Sequence, residues 1–147
     1  MIRSIAITSA GEVHTEIQKA DIRTWIADPE GLLWVDLCGE PNGDFESILR
    51  DEFNFHPLAV DDALVETHIP KIDDWGHYIY IVMRGALLDE TQTLSLEIPE
   101  LDAFLGKNFL VTYHRVELTI IELIWQLCQR DPRILSKGSG SLFYRIA

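Results

Sequence analysis

Five carboxylates, Asp61, Asp62, Glu66, Asp73 and Asp74, crowd into fourteen positions of this sequence, with His56, His68 and His77 beside them. Carboxylate oxygens suit hard cations such as Mg2+ and Ca2+, whereas imidazoles suit softer metals. Asp62 and Glu66 stand four positions apart, so on a helix they share one face. Asp61 points about 100° away from Asp62, given roughly 3.6 residues per turn. The histidines show neither HxH nor HxxxH spacing and read as structural, with His56 opening a helix. A solvated helix face accounts for the same acidic residues, and the pattern alone leaves both readings open.

Nucleophilic chemistry has less behind it. GxSxG, HExxH, P-loop and GxGxxG patterns are absent. Cys38 and His56 would be the pair for a thiol dyad, but their spacing does not favour one. A reactive thiol also needs an electropositive setting, which an acidic chain does not offer. No enzyme is expected. Cys38 and Cys128 lie far apart among apolar residues without CxxC spacing. Buried free thiols in a reducing compartment follow from that, not a disulfide or a zinc site.

The charge balance narrows the partners. Against 24 acidic residues there are 12 Lys and Arg, a formal charge of −12. Phosphate recognition needs clustered positive charge, so nucleic acid and anionic membrane surfaces are disfavoured. Small cations are the natural partners of such a surface. With 147 residues, 47% of them hydrophobic, the chain suffices for one domain with a substantial core, and residues 1–147 are read as one unit. No segment approaches the roughly 20 apolar residues that span a bilayer, and no signal peptide is seen.

These residues need a scaffold, and the patterning supplies one. Ile2–Thr8 alternates and reads as a strand, with Val13–Ile17 pairing back across Gly11. Asp21 is placed to cap a short helix stopped by Asp28-Pro29. Leu32–Leu37 is a nearly continuous apolar run, as in a strand covered on both faces. Asp44–Phe53 carries apolar residues at helical spacing, and His56-Pro57 opens the helix bearing the acidic pair. Tyr78–Leu88, Leu94–Ile98, Leu101–Leu105 and Phe109–His114 read as strands, the last two joined by a turn at Gly106-Lys107-Asn108. Glu117–Arg130 is amphipathic, and Asp131-Pro132 starts a short helix ending near Gly138. Trp34, Trp75 and Trp125 belong to the core. Ser141 is placed to cap Leu142–Ala147, an apolar helical start without a stop signal, so the native chain is expected to continue. The mixture predicts an α/β fold: a mixed central β-sheet flanked by helices, an αβα sandwich.

Several blocks resemble the CorA-type magnesium and cobalt transporters. Phe55–Leu64 resembles that family's F-H-P-L-x-x-E-D-x-L. Pro70–Trp75 followed by Tyr78–Arg84 resembles its P-K-(V/I)-(E/D)-x-(Y/F) block and the strand after it. Phe104–Thr112 resembles its F-L-G-K-N-F-L-V-T hairpin, and Asp131-Pro132-Arg133 and Leu142-Phe143-Tyr144 resemble the pattern before its long helix. The blocks occur in order from about Leu32 to Ala147. Asp61 stands where the family usually has Glu, which keeps the charge with a shorter reach, and Ile69 stands where it tends to have Arg. The zinc exporters of the same superfamily share the blocks, so the transported ion stays open.

The resemblance implies a homopentameric channel of the inner membrane, with this domain on the cytoplasmic side. Each chain would carry a soluble α/β domain, a long stalk helix and two C-terminal transmembrane helices, of which this chain holds the first part. It implies that Asp61 and Asp62 face a neighbouring subunit and help bind regulatory Mg2+, weakly in the isolated domain, with a further ligand beyond Ala147. The competing expectation is a soluble acidic interaction module whose carboxylates hold no ion.

Overall fold

A computed structural model describes residues 1–66, 69–85 and 99–147. Its strands are β1 (Ile2–Ile7), β2 (Val13–Thr15), β3 (Leu32–Cys38), β4 (Lys71–Asp74), β5 (Tyr78–Arg84), β6 (Glu100–Gly106) and β7 (Phe109–His114). Its helices are α1 (Ile22–Ala27), α2 (Gly43–Ser47), α3 (Pro57–Val65), α4 (Thr119–Arg130), α5 (Arg133–Ser136) and α6 (Ser139–Ile146). The seven strands lie in the order β2-β1-β3-β7-β6-β5-β4. β3 and β7 pair in parallel and every other neighbour pairs antiparallel.

The β3–β7 pairing is central to the sheet and explains the apolar run in β3. Leu33, Val35 and Leu37 face one core, with Ile22, Phe45, Leu49, Val60 and Ala63 from the first half of the chain. Leu32 and Trp34 face the other, with Ile121, Trp125, Leu135 and Leu142 from α4, α5 and α6. A strand covered on both sides has no polar face to display, so its apolar residues do not alternate with polar ones. The expected αβα sandwich is therefore the observed fold, and both cysteines are buried free thiols.

Several boundaries differ from the sequence reading. Asp44–Phe53 is not one α-helix: α2 passes into a π-helical turn over Ile48–Glu52, and the Phe53 amide donates to the Ile48 carbonyl at 3.0 Å. Asp21 makes no side-chain cap; it closes a 3-10 turn that runs straight into α1. α6 begins at Ser139, behind Gly138 at φ 98°, and not at Ser141. A positive φ is cheap only for glycine, so Gly138 sets that start. Gly138 is followed by Ser139, whose hydroxyl donates to the Gly106 carbonyl at 2.5 Å and ties α6 to the β6–β7 turn. β4 was not anticipated: it is an edge strand with Ile72 73% exposed, so burial leaves no alternation to read. β5 ends at Arg84; the last three residues of the expected Tyr78–Leu88 strand and all of Leu94–Ile98 lie outside the described residues.

Candidate functional site

The acidic pair sits on α3, and the start of that helix is tightly specified. His56 is its N-cap: Nδ1 accepts from the Leu58 amide at 3.1 Å, and Pro57 occupies the first helical position, where no amide is missed. The His56 amide donates to the Tyr78 hydroxyl at 2.8 Å, and its ring stacks on Trp75 at 4.2 Å. Trp75 is thus half-buried against His56 and not deep in the core, unlike Trp34 and Trp125. Phe55, just before the cap, stacks on Phe104 at 4.3 Å. Ala59, Val60 and Ala63 turn to the sheet, which leaves Leu58, Asp61 and Val65 exposed.

Both predicted ligands reach the surface, and both already hold a cation. Asp61, 58% exposed, accepts from Arg50 Nη2 at 2.5 Å, and Arg50 Nε donates to Glu46 Oε1 at 2.8 Å. Asp62, 35% exposed, accepts from Lys71 Nζ, which also pairs with Asp73 at 3.1 Å. The hydrogen bond to Asp62, helped by Asp73, holds the Lys71 ammonium above its ordinary pKa. Lys71 also lies 5.5 Å from the Tyr80 ring centre.

The other carboxylates do not join them. α3 ends at Val65, and Glu66 leaves it at φ 62°, so the expected face shared by Asp62 and Glu66 is lost. Glu66 lies 3.7 Å from Arg115 instead. Asp74 accepts the Gly76 amide at 2.8 Å and shapes the β4–β5 turn. His77 is exposed, and His68 lies outside the described residues. Among the described residues no three His, Cys, Asp or Glu side chains come close enough to hold a metal. By donor type Asp61 and Asp62 fit an oxygen-liganded cation; by number two carboxylates would fill only part of a coordination shell.

Two buried polar groups escaped sequence reasoning. On the α4 side, Asp36 is fully buried and accepts from Thr112 Oγ1 at 2.6 Å and Arg3 Nε at 3.0 Å. His114 Nε2 lies 3.0 Å from the same carboxylate, and its Nδ1 lies 2.7 Å from the Val116 carbonyl. Arg3 continues to Glu122 at 2.9 Å and lies over the Trp125 ring at 4.3 Å. Burial alone would push the Asp36 carboxyl up; His114, Thr112 and Arg3 outweigh it and hold it below the usual range. On the opposite face, Tyr80 donates to Asp102 at 2.5 Å, and burial, reinforced by Glu100, pushes the Asp102 carboxyl up to about 8. One signal was available for both: an Asp inside an otherwise apolar strand needs a partner.

The thiol dyad has no geometric basis. Cys38 pairs in register with His114, not with His56. Both His114 nitrogens are taken by oxygen acceptors, and burial with the nearby Asp36 charge raises the Cys38 thiol.

The profile of the family described as CorA-like Mg2+ transporter protein matches residues 29–147, from just before β3 to the end of α6. This chain belongs to the CorA-like Mg2+ transporter family. That family is one of transporters, not of enzymes. YfjQ of Bacillus subtilis (strain 168), whose name provisionally makes it a metal ion transporter, is 39% identical over 142 residues. That match takes in 97% of this chain and 43% of YfjQ, so the chain spans less than half the length of that relative. The complete CorA magnesium transporter of Methanocaldococcus jannaschii superposes with a TM-score of 0.67 at 20% identity, over 97% of this chain and 42% of that one. The ZntB cytoplasmic domain of Vibrio parahaemolyticus gives 0.66 at 15% identity, over 97% and 55%. At these identities the two structures speak for the CorA-like fold alone. No helix among the described residues is long and apolar enough to cross a membrane.

Proposed function

We propose that this CorA-like domain is the cytoplasmic, regulatory part of a divalent-cation transport channel that assembles as a homopentamer. Asp61 and Asp62 contribute to an ion-sensing site between subunits. The observation that carries the reading is the exposure of two adjacent carboxylates on the outer side of a rigidly capped helix, in a chain of this family.

Mg2+ prefers near-octahedral oxygen coordination and gives up its waters reluctantly. Two carboxylates leave most of that shell to water and to a facing subunit. The isolated domain therefore binds Mg2+ weakly, and the assembled ring binds it better. An ion that binds one arrangement of the ring more tightly shifts the ring toward it, by no more than that difference in affinity. Abundant Mg2+ on the inner side would hold the closed ring, and its loss would loosen it. The transported ion is the cargo of the pore; the domain's own residues act on the regulatory ion.

The test is Asp61→Asn with Asp62→Asn in the full-length protein. Mg2+-dependent protection of the domain against protease should weaken, and closure should move to higher Mg2+. An unchanged Mg2+ dependence would leave the pair as a solvated face. That alternative has its own support, because Arg50 and Lys71 already neutralise both carboxylates.

A further inference from the structure

The two cations on the acidic pair come from elsewhere in the fold. Arg50 stands on the π-helical turn and Lys71 on the edge strand β4. Neither is a loose side chain that happens to fall on α3. Arg50 is braced by Glu46, four residues back, at 2.8 Å. Lys71 is braced by Asp73 at 3.1 Å and by the Tyr80 ring. Each forms a carboxylate–cation–carboxylate triple, with one partner on α3 and one off it: Asp61–Arg50–Glu46 and Asp62–Lys71–Asp73.

We propose that Arg50 and Lys71 are resident counter-cations, which a divalent ion must displace to reach Asp61 and Asp62. The inference rests on the ion-sensing reading of that pair. Glu46 and Asp73 are what make the exchange feasible. A cation pushed off α3 keeps its second carboxylate and is not left stranded, so the swap costs little beyond the broken bond. Two consequences follow. Without the divalent ion the α3 face carries paired charge, so facing subunits repel less than bare carboxylates would. The ion must also outcompete two tethered cations, which raises the concentration at which it binds. The resident pairs thus set the threshold of the sensor.

The probe is Mg2+ itself, titrated into the 147-residue chain and followed by NMR shifts of the α3 backbone amides from Leu58 to Val65, which every variant retains, with Mn2+ line broadening as a second reporter. Arg50→Gln and Lys71→Gln should each tighten apparent Mg2+ binding roughly three- to tenfold, the order expected for removing one nearby positive charge at a partly exposed site. Lys71→Arg keeps the charge and should stay near the parent. Lys137→Gln, which removes an exposed charge beside α5, corrects for the change in net charge and should also stay near the parent. Asp61→Asn with Asp62→Asn should abolish the shifts. If that double variant weakens binding while Arg50→Gln and Lys71→Gln bind no tighter than Lys137→Gln, the counter-cation role is wrong and the sensing reading survives. If the double variant binds Mg2+ like the parent, the sensing reading fails and takes this inference with it. Circular dichroism melts check each variant's fold, and the two cation variants lie on different elements, so loss of one leaves the other decisive.

Discussion

Asp36 and His114 lie 3.0 Å apart on the parallel strands β3 and β7, each with almost no exposure, and Arg3 reaches the same carboxylate from β1. Three strands and, through Glu122, helix α4 thus meet at one carboxyl group. Both His114 nitrogens face oxygen atoms, one on the Asp36 carboxylate and one on the Val116 carbonyl. Removing the carboxylate would leave Arg3 without its buried counter-charge and Thr112 and His114 without their partner. Asp36→Ala should therefore cost about 3–5 kcal/mol, the range for breaking a buried pair from one side, read as a lower urea midpoint.

The same carboxyl predicts an acid limb. Its folded-state pKa lies below the ordinary 3.8, so its contribution is present above that value and is lost as pH falls through the folded one. The gap in urea midpoint between the parent and Asp36→Asn should narrow on going from about pH 6 to about pH 3. Equal slopes would mean that Asp36 is not the group responsible.

Asp102 predicts the opposite trend. Its carboxyl stays protonated in the fold up to about 8, whereas the unfolded chain releases that proton near 3.8. The native state then binds more protons, so stability falls as pH rises between these two values. Asp102→Asn can still accept from Tyr80 and can donate to Glu100 in place of the lost proton. It should flatten that decline and gain roughly 2 kcal/mol at the alkaline end. A variant that follows the parent's slope would refute the assignment.

Gly106→Ala tests the hairpin. A Cβ there would lie 2.2 Å from the Phe109 ring. The ring cannot swing clear, because Phe53 and Phe55 pack against it at 5.3 and 5.8 Å. A loss of about 1–3 kcal/mol, the usual cost of overpacking, should appear in thermal melts.

Asn108→Ala tests how that turn is tied to α1. The Asn108 amide donates to the carbonyls of Ile26 and Asp28 at 2.5 and 2.8 Å, at the C-terminal end of the helix. Leaving these acceptors unmet should cost about 1–3 kcal/mol. Asn108→Asp, which cannot donate, should fare no better in the same urea titration.

Local pattern was enough for much of this protein. The apolar run of β3, the His56-Pro57 start of α3, the turn between β6 and β7 and the apolar face of α4 are each written within a dozen neighbouring residues. They depend on backbone geometry and burial, which local periodicity encodes. The resemblance carried by the same blocks named the family and singled out Asp61 and Asp62. Tertiary structure alone decided what those two carboxylates touch. Arg50 and Lys71 reach them from 11 and 9 residues away, on a π-helical turn and an edge strand that no periodicity announces. The end of α3 turned Glu66 to Arg115, which no spacing rule on an ideal helix contains. Asp36 met His114 across 78 residues because β7 returns parallel to β3. Charge pairs act over a few ångströms, so their partners are set by how distant strands come into register. That register is a property of the packed sheet and is not written in any one stretch of chain.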